Sequence, residues 1–178
     1  MDHESGKGHG NYLRFAAMIT TSTVVMFGLM YANTYALEHV RWSEMRFYMG
    51  LLMGATMIVV MLGYMWGMYK DRRLNVAIIA GAVVLGGVSL WLARSQALVN
   101  DTDYMRAMIP HHSIAILTSE RAGIEDVRVQ ELAQEIADAQ RREIAEMEWL
   151  IEDIAENGPA TTEDDAAARP APEFEPTG

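Results

Sequence analysis

Residues with metal-binding chemistry are concentrated in one polar stretch, Asp101–His112, which reads D-T-D-Y-M-R-A-M-I-P-H-H. An α-helix turns by about 100° per residue, so four of these side chains would share an arc of about 60°: Asp101, Met105, Met108 and His112. His111 would point about 100° away from His112. Thioether sulfur and imidazole nitrogen together favour soft metal ions such as Cu(I), whereas carboxylates favour Zn, Fe or Mn. The stretch therefore predicts a helix face suited to a transition metal.

A second stretch, Gln140–Met147 (Q-R-R-E-I-A-E-M), carries matching groups. A helix predicted from Asp126 to Glu156 has one apolar stripe, made of Val129, Leu132, Ile136, Leu150 and Ile154. Gln140, Glu143 and Met147 fall on the same face. Because an unpaired buried charge is costly, we expect Glu143 to face a histidine, an arginine or a metal ion. Glu120 lies near the end of the helix that begins with Asp101–His112, and it falls within about 80° of His112 on the helical wheel.

Three apolar stretches without charge precede this region: Phe15–Leu37, Phe47–Tyr69 and Leu74–Ala93. A helix needs about 20 residues to cross the hydrocarbon core of a bilayer, and each stretch is long enough. We predict transmembrane helices over 15–37, 47–69 and 74–93, inside a membrane region 13–93 that follows a disordered tail over 1–12.

Charge is divided unevenly along the chain, with a net of +2 in residues 1–93 and −12 in residues 94–178. The acidic part argues against nucleic acid as a partner, because phosphate binding needs clustered Lys and Arg. Lys and Arg near the span ends, above all in the K-D-R-R loop at Lys70–Arg73, favour a cytoplasmic N-terminus. The acidic domain would then lie outside, in the periplasm of a Gram-negative cell. With no cysteine, a soft-metal site must use Met and His, and the chain has 14 Met.

The second span carries a row of methionines at every fourth position: Met45, Met49, Met53, Met57, Met61 and Met65. Packing is the favoured interpretation, because methionine fills gaps in apolar interfaces. The pairs Gly50/Gly54 and Gly63/Gly67 have the small-xxx-small spacing of close helix contacts. A path for Cu(I) along the row is the alternative.

Residues 94–157 predict a helical hairpin, and a single hairpin leaves one apolar face open. A second copy would complete a four-helix bundle across a two-fold axis. Residues 158–178, rich in Ala, Pro and acidic residues, predict a disordered tail.

The elements D-x-D-Y-M-R-A-M-I-P-H-H and Q-R-R-E-I-A-E-M together resemble the family called domain of unknown function 305, over about Asp101–Leu150. The whole chain is similar to a subgroup with three N-terminal spans and one hairpin. The resemblance implies an all-α fold: three transmembrane helices followed by a ferritin-like helical hairpin that dimerises into a four-helix bundle. Longer family members have two hairpins in one chain. Because this chain has a single hairpin, the resemblance favours a dimer. Family members usually lie outside the cytoplasmic membrane.

Copper binding or copper tolerance is associated with some family members, so the resemblance implies a copper site. Carried over by position, the implied ligands are Met105, Met108, His111, His112 and Met147, with Glu143 as a ligand or as the partner of one. Further candidates are Asp101, Glu120, Gln140 and, in the loop after the first span, His39. Thr118 stands where family members often have a methionine, which removes one thioether.

Three functions follow from these features. The first is a membrane-anchored metal-binding protein that serves copper homeostasis outside the cytoplasm without catalysis. The second is a structural module in which a membrane-tethered helical dimer docks a partner and His and Met only pack. The third is an accessory component of metal transport. A di-metal oxidase is disfavoured, because the chain lacks the E-x-x-H spacing of such sites.

Overall fold

A computed structural model describes residues 3–175, with side chains from Gly10 onward, and this part of the chain is helical without strands. The helices are α1 (His3–Leu29), α2 (Glu44–Tyr64), α3 (Arg72–Ser95), α4 (Asp101–Arg121), α5 (Val127–Asn157) and α6 (Glu163–Ala168), with a 3₁₀ turn at Leu37–His39. The predicted all-α fold is confirmed. The helices form two compact units, one of α1–α3 and one of α4–α6 together with the loop Tyr31–Ser43.

Three helices of the first unit are long and apolar enough to cross a membrane: Gly10–Leu29, Glu44–Tyr64 and Arg72–Ser95. The number of predicted spans agrees with the structure, but the bounds differ. The first span was expected to continue to Leu37, whereas α1 ends at Leu29. The uncharged residues that follow form turns and bends, and Tyr35 among them donates a hydrogen bond to Ser113 of the second unit.

Glycine lets α1 and α2 approach closely. A Cβ at Gly54 would lie 2.9 Å from Thr23 Oγ1, and one at Gly50 would lie 3.3 Å from Phe27 Cδ2. A Cβ at Gly63 or Gly67 would meet nothing within 4 Å. The first small-xxx-small pair therefore serves a helix contact, as its spacing indicates, and the second pair has no such contact within the described residues.

The methionine row of α2 has two parts. Met57, Met61 and Met65 pack against a buried cluster made of Phe15, Ile19, Leu62 and Tyr69. Met45, Met49 and Met53 each leave more than a third of their surface exposed. Packing thus accounts for the second half of the row, as expected of a flexible gap-filling side chain.

The α4–α5 hairpin is the frame of the second unit. Asn100 Oδ1 accepts a hydrogen bond from Asp103 N at 2.9 Å and caps α4, and Asp126 Oδ1 caps α5 by accepting from Arg128 N at 2.9 Å. The Arg128 side chain also donates to Asp126, which lowers the pKa of that carboxyl group. Ile109, Ile116 and Ile144 form the buried core between the two helices.

The loop Tyr31–Ser43 is attached to this hairpin by polar contacts. Tyr35 N donates to Ser113 Oγ at 2.7 Å, and His39 Nδ1 lies 2.9 Å from the same oxygen. Arg41 Nη2 lies 3.0 Å from Glu148 Oε1. The loop was expected to lie within the membrane region 13–93. These contacts instead make it part of the hairpin unit.

Both segments expected to be disordered tails contain helix. Helix α1 begins at His3, inside the tail predicted over 1–12; residues 1 and 2 lie outside the described residues. Helix α6 lies inside the tail predicted over 158–178, of which 176–178 lie outside them. The physical reason at α6 is an N-cap, because Thr162 Oγ1 accepts from Asp165 N at 3.1 Å.

Candidate metal site

Helix α4 places four predicted side chains along one groove of the hairpin. Met105 is 6% exposed and His112 is also buried, whereas Met108 is half-buried and Asp101 is exposed. Helix α5 contributes Glu143 and Met147 from the other side. The groove has a volume of about 510 Å³ and is lined by Asp101, Tyr104, Met105, Met108, His112, Glu143, Glu146, Met147, Leu150 and Ile154. We refer to it as the His112 groove.

The imidazole of His112 is held at both nitrogens. Its Nδ1 lies 2.8 Å from the backbone oxygen of Met108, one turn earlier on α4. Its Nε2 lies 2.7 Å from Glu143 Oε2 on α5. Of the partners expected for Glu143, which were a histidine, an arginine or a metal ion, this contact is with a histidine. The glutamate side chain is 51% exposed while that of His112 is 11% exposed, so the pair reaches from the hairpin interior toward solvent.

Several predicted ligands lie elsewhere. His111 is exposed and does not line the groove; its ring meets the His112 ring edge-on, with centroids 5.8 Å apart. Gln140 is half-buried and also does not line it. Glu120 forms an ion pair with Arg141, which also binds Asp138 at 3.1 Å. His39 contacts Ser113 rather than the groove.

Two groove residues were missed by the sequence reasoning. Tyr104 is one turn before Met108, and Glu146 is three residues after Glu143. Helical spacing alone could have suggested both, because residues three or four apart share a helix face. The role of Ser113 carried no signal in the sequence, since its partners lie 74 and 78 residues away.

The donor atoms of the groove are chemically mixed. Within the described residues, no group of three or more His, Asp or Glu side chains is placed to hold a metal ion. The His112 groove instead combines one imidazole with the thioethers of Met105, Met108 and Met147. Met147 also packs against the core of the hairpin. The imidazole and the three thioethers suit a soft metal ion, whereas the carboxylates of the same groove suit a harder one.

The architecture defines an all-helical protein with three apolar helices that could span a membrane and a helical hairpin that carries a His–Met groove. The chain belongs to the family described as Domain of unknown function (DUF305), whose model matches residues 101–175. The chain is similar to Uncharacterized protein L153 of Acanthamoeba polyphaga mimivirus, with 30% identity over 147 residues, which cover 77% of this chain and 93% of that protein. No solved structure matches the chain.

Proposed function

We propose that this chain is a membrane-anchored metal-binding protein whose hairpin binds Cu(I) in the His112 groove. The observation that carries the proposal is a buried imidazole that shares one groove with three methionine side chains. The Met108 carbonyl oxygen holds Nδ1 of His112, which leaves Nε2 as the ring atom for a metal. Glu143 contacts that atom, so a metal ion would compete with this carboxylate for Nε2.

The proposed role is binding in copper homeostasis rather than catalysis. The groove lies in the acidic part of the chain, which suits a cation. The Lys and Arg residues near the apolar helices support a location of this part outside the cytoplasm. Transition metals other than copper would depend more on the carboxylates of Glu143, Glu146 and Asp101.

The proposal is tested by titrating the full-length protein in detergent with Cu(I) and, separately, with Zn(II). We expect a clear preference for Cu(I). Met108→Leu removes a thioether at nearly constant volume, and we expect it to weaken Cu(I) binding by about tenfold, or about 1.4 kcal/mol, with little effect on Zn(II).

Met61→Leu is the matched control, because Met61 packs against the apolar cluster of the first unit and is not among the residues that line the groove. It should leave both affinities unchanged. Equal affinity for the two metals, or unchanged Cu(I) binding by Met108→Leu, would contradict the proposal.

A second candidate function is assembly through the hairpin. The stripe of α5 that contains Glu143 continues toward its N-terminus as exposed apolar side chains: Val129 at 45%, Leu132 at 53% and Ile136 at 38%. An apolar stripe at helical spacing usually packs against another helix. We propose a second copy of the chain as the partner, which would complete a four-helix bundle.

Leu132→Asp should convert a dimer in detergent into a monomer, as measured by sedimentation with correction for bound detergent. Val127→Asp is the control, since Val127 is 63% exposed but lies about 140° away from Leu132 on the helix. A monomeric wild-type protein would refute this second function.

A further inference from the structure

The segment after α5 folds back on the hairpin. Helix α5 ends at Asn157, and Gly158 has a φ of +78°, a backbone conformation that favours glycine. Helix α6 follows, and its capped first turn gives the segment a defined start. Residues 170–175 form neither helix nor strand, and Pro170 and Pro172 restrict their backbone. Residues 159–175 are called the strap below.

Arg169 attaches the strap to the end of α5. Its Nη1 lies 2.6 Å from Asp153 Oδ2, and its Nη2 donates to the backbone oxygen of Gly158 at 3.2 Å. The Asp153 side chain is 15% exposed and that of Arg169 is 26% exposed. This ion pair is therefore partly withdrawn from water, and salt screens it less than a pair on the open surface.

Beyond Arg169 the strap runs antiparallel to α5. Residues 171–175 share a cavity of about 440 Å³ with Ala139, Arg142, Glu143 and Glu146. Arg169 therefore holds one end of this segment at Asp153, and residues 171–175 lie beside Glu143, about three turns earlier on α5.

Glu143 and Glu146 line both this cavity and the His112 groove. We infer that the strap docks along α5 and limits the approach to these two carboxylates from that side of the groove. The strap carries its own Glu173 and Glu175, which repel the groove carboxylates. Arg142 lines the same cavity and offsets part of this repulsion, while Arg169 and the half-buried Phe174 supply the remaining attachment.

The family model matches residues as far as 175, so the strap lies inside the matched region. Control of metal access by the strap rests on the proposed function, whereas docking of the strap does not. The docking can be tested without metal, and the chain has no cysteine of its own, so introduced cysteines are the only thiols.

The docking test uses full-length protein in detergent with the pair Ala139→Cys and Glu175→Cys, treated with a short bismaleimide. We expect an intramolecular cross-link, and we expect Arg169→Ala to reduce it several-fold. The control pair is Glu131→Cys with Glu175→Cys, which moves one thiol about 12 Å along α5 and should react poorly. Arg128→Ala removes the same charge at a position distant from the strap. It should leave the cross-link between positions 139 and 175 intact.

Coverage is tested by labelling carboxyl groups with a carbodiimide and glycine ethyl ester, followed by mass spectrometry. Arg169→Ala, and separately deletion of residues 169–178, should raise labelling of Glu143 and Glu146 and leave Glu131 and Glu135 unchanged. Wild-type labelling in the deletion variant, or equal cross-linking of both cysteine pairs, would overturn the inference. Labelling as expected in a protein that binds no Cu(I) would support the strap and contradict only the metal proposal.

Discussion

Replacing His112 by alanine is expected to lower the affinity for Cu(I) by about tenfold or more, equivalent to at least about 1.4 kcal/mol. His112 carries the only nitrogen atoms among the side chains that line the groove, so no other lining side chain can replace an imidazole donor. Its ring is already oriented by the Met108 carbonyl oxygen. The measurement is competition for Cu(I) between full-length protein and a chromophoric chelator under reducing conditions.

His111→Ala is the matched comparison, because the two histidines are adjacent in sequence and differ in placement. His111 is exposed and outside the groove. We expect its replacement to leave Cu(I) affinity close to that of the wild type. Equal losses for both variants would restore His111 as a ligand, as the family resemblance implies, and would contradict the assignment of the site to the groove.

Replacing Ile116 by alanine is expected to destabilise the α4–α5 hairpin by about 2–5 kcal/mol. Ile116 is 1% exposed and packs in the core with Ile109 and Ile144. Truncation removes buried methyl groups and leaves a cavity that neighbouring helices fill only in part. A loss of this size is a large share of the stability of an ordinary domain, which is about 5–15 kcal/mol.

The effect is measured by hydrogen exchange of the amides of α4 and α5 in the full-length protein, which reports on opening of this unit separately from the apolar helices. Val127→Ala is the control, since that side chain is 63% exposed. Protection in Ile116→Ala equal to that of the control would show that the three isoleucines do not form the core of the hairpin.

Much of the fold could be predicted from local patterns. Long uncharged stretches define the three apolar helices, because membrane length and helix rise set the number of residues needed. Asp126 was predicted as the start of the second hairpin helix, and it caps α5. Helical periodicity also brought Met105, Met108 and His112 to one face, and the structure places them in one groove.

Features that depend on contacts distant in sequence were not predictable. The residues from Met30 to Leu37 carry no charge, so hydropathy extended the first span to Leu37. Hydropathy carries no information about Ser113 as a hydrogen-bond partner of this loop. Wheel angles kept Glu120 and Gln140 near the site, but a wheel describes one helix alone. The pairing of Glu120 with Arg141 depends on how α4 and α5 are set against each other.

The loop Tyr31–Ser43 has a consequence for the order in which the protein matures. Its contacts join residues 74, 78 and 107 positions apart. Because synthesis proceeds from the N-terminus, the loop is complete long before Ser113 and Glu148 exist. Domains generally fold as units in the order of synthesis, yet this loop must wait for α4 and α5. The hairpin unit is therefore finished last, after all three apolar helices have been made.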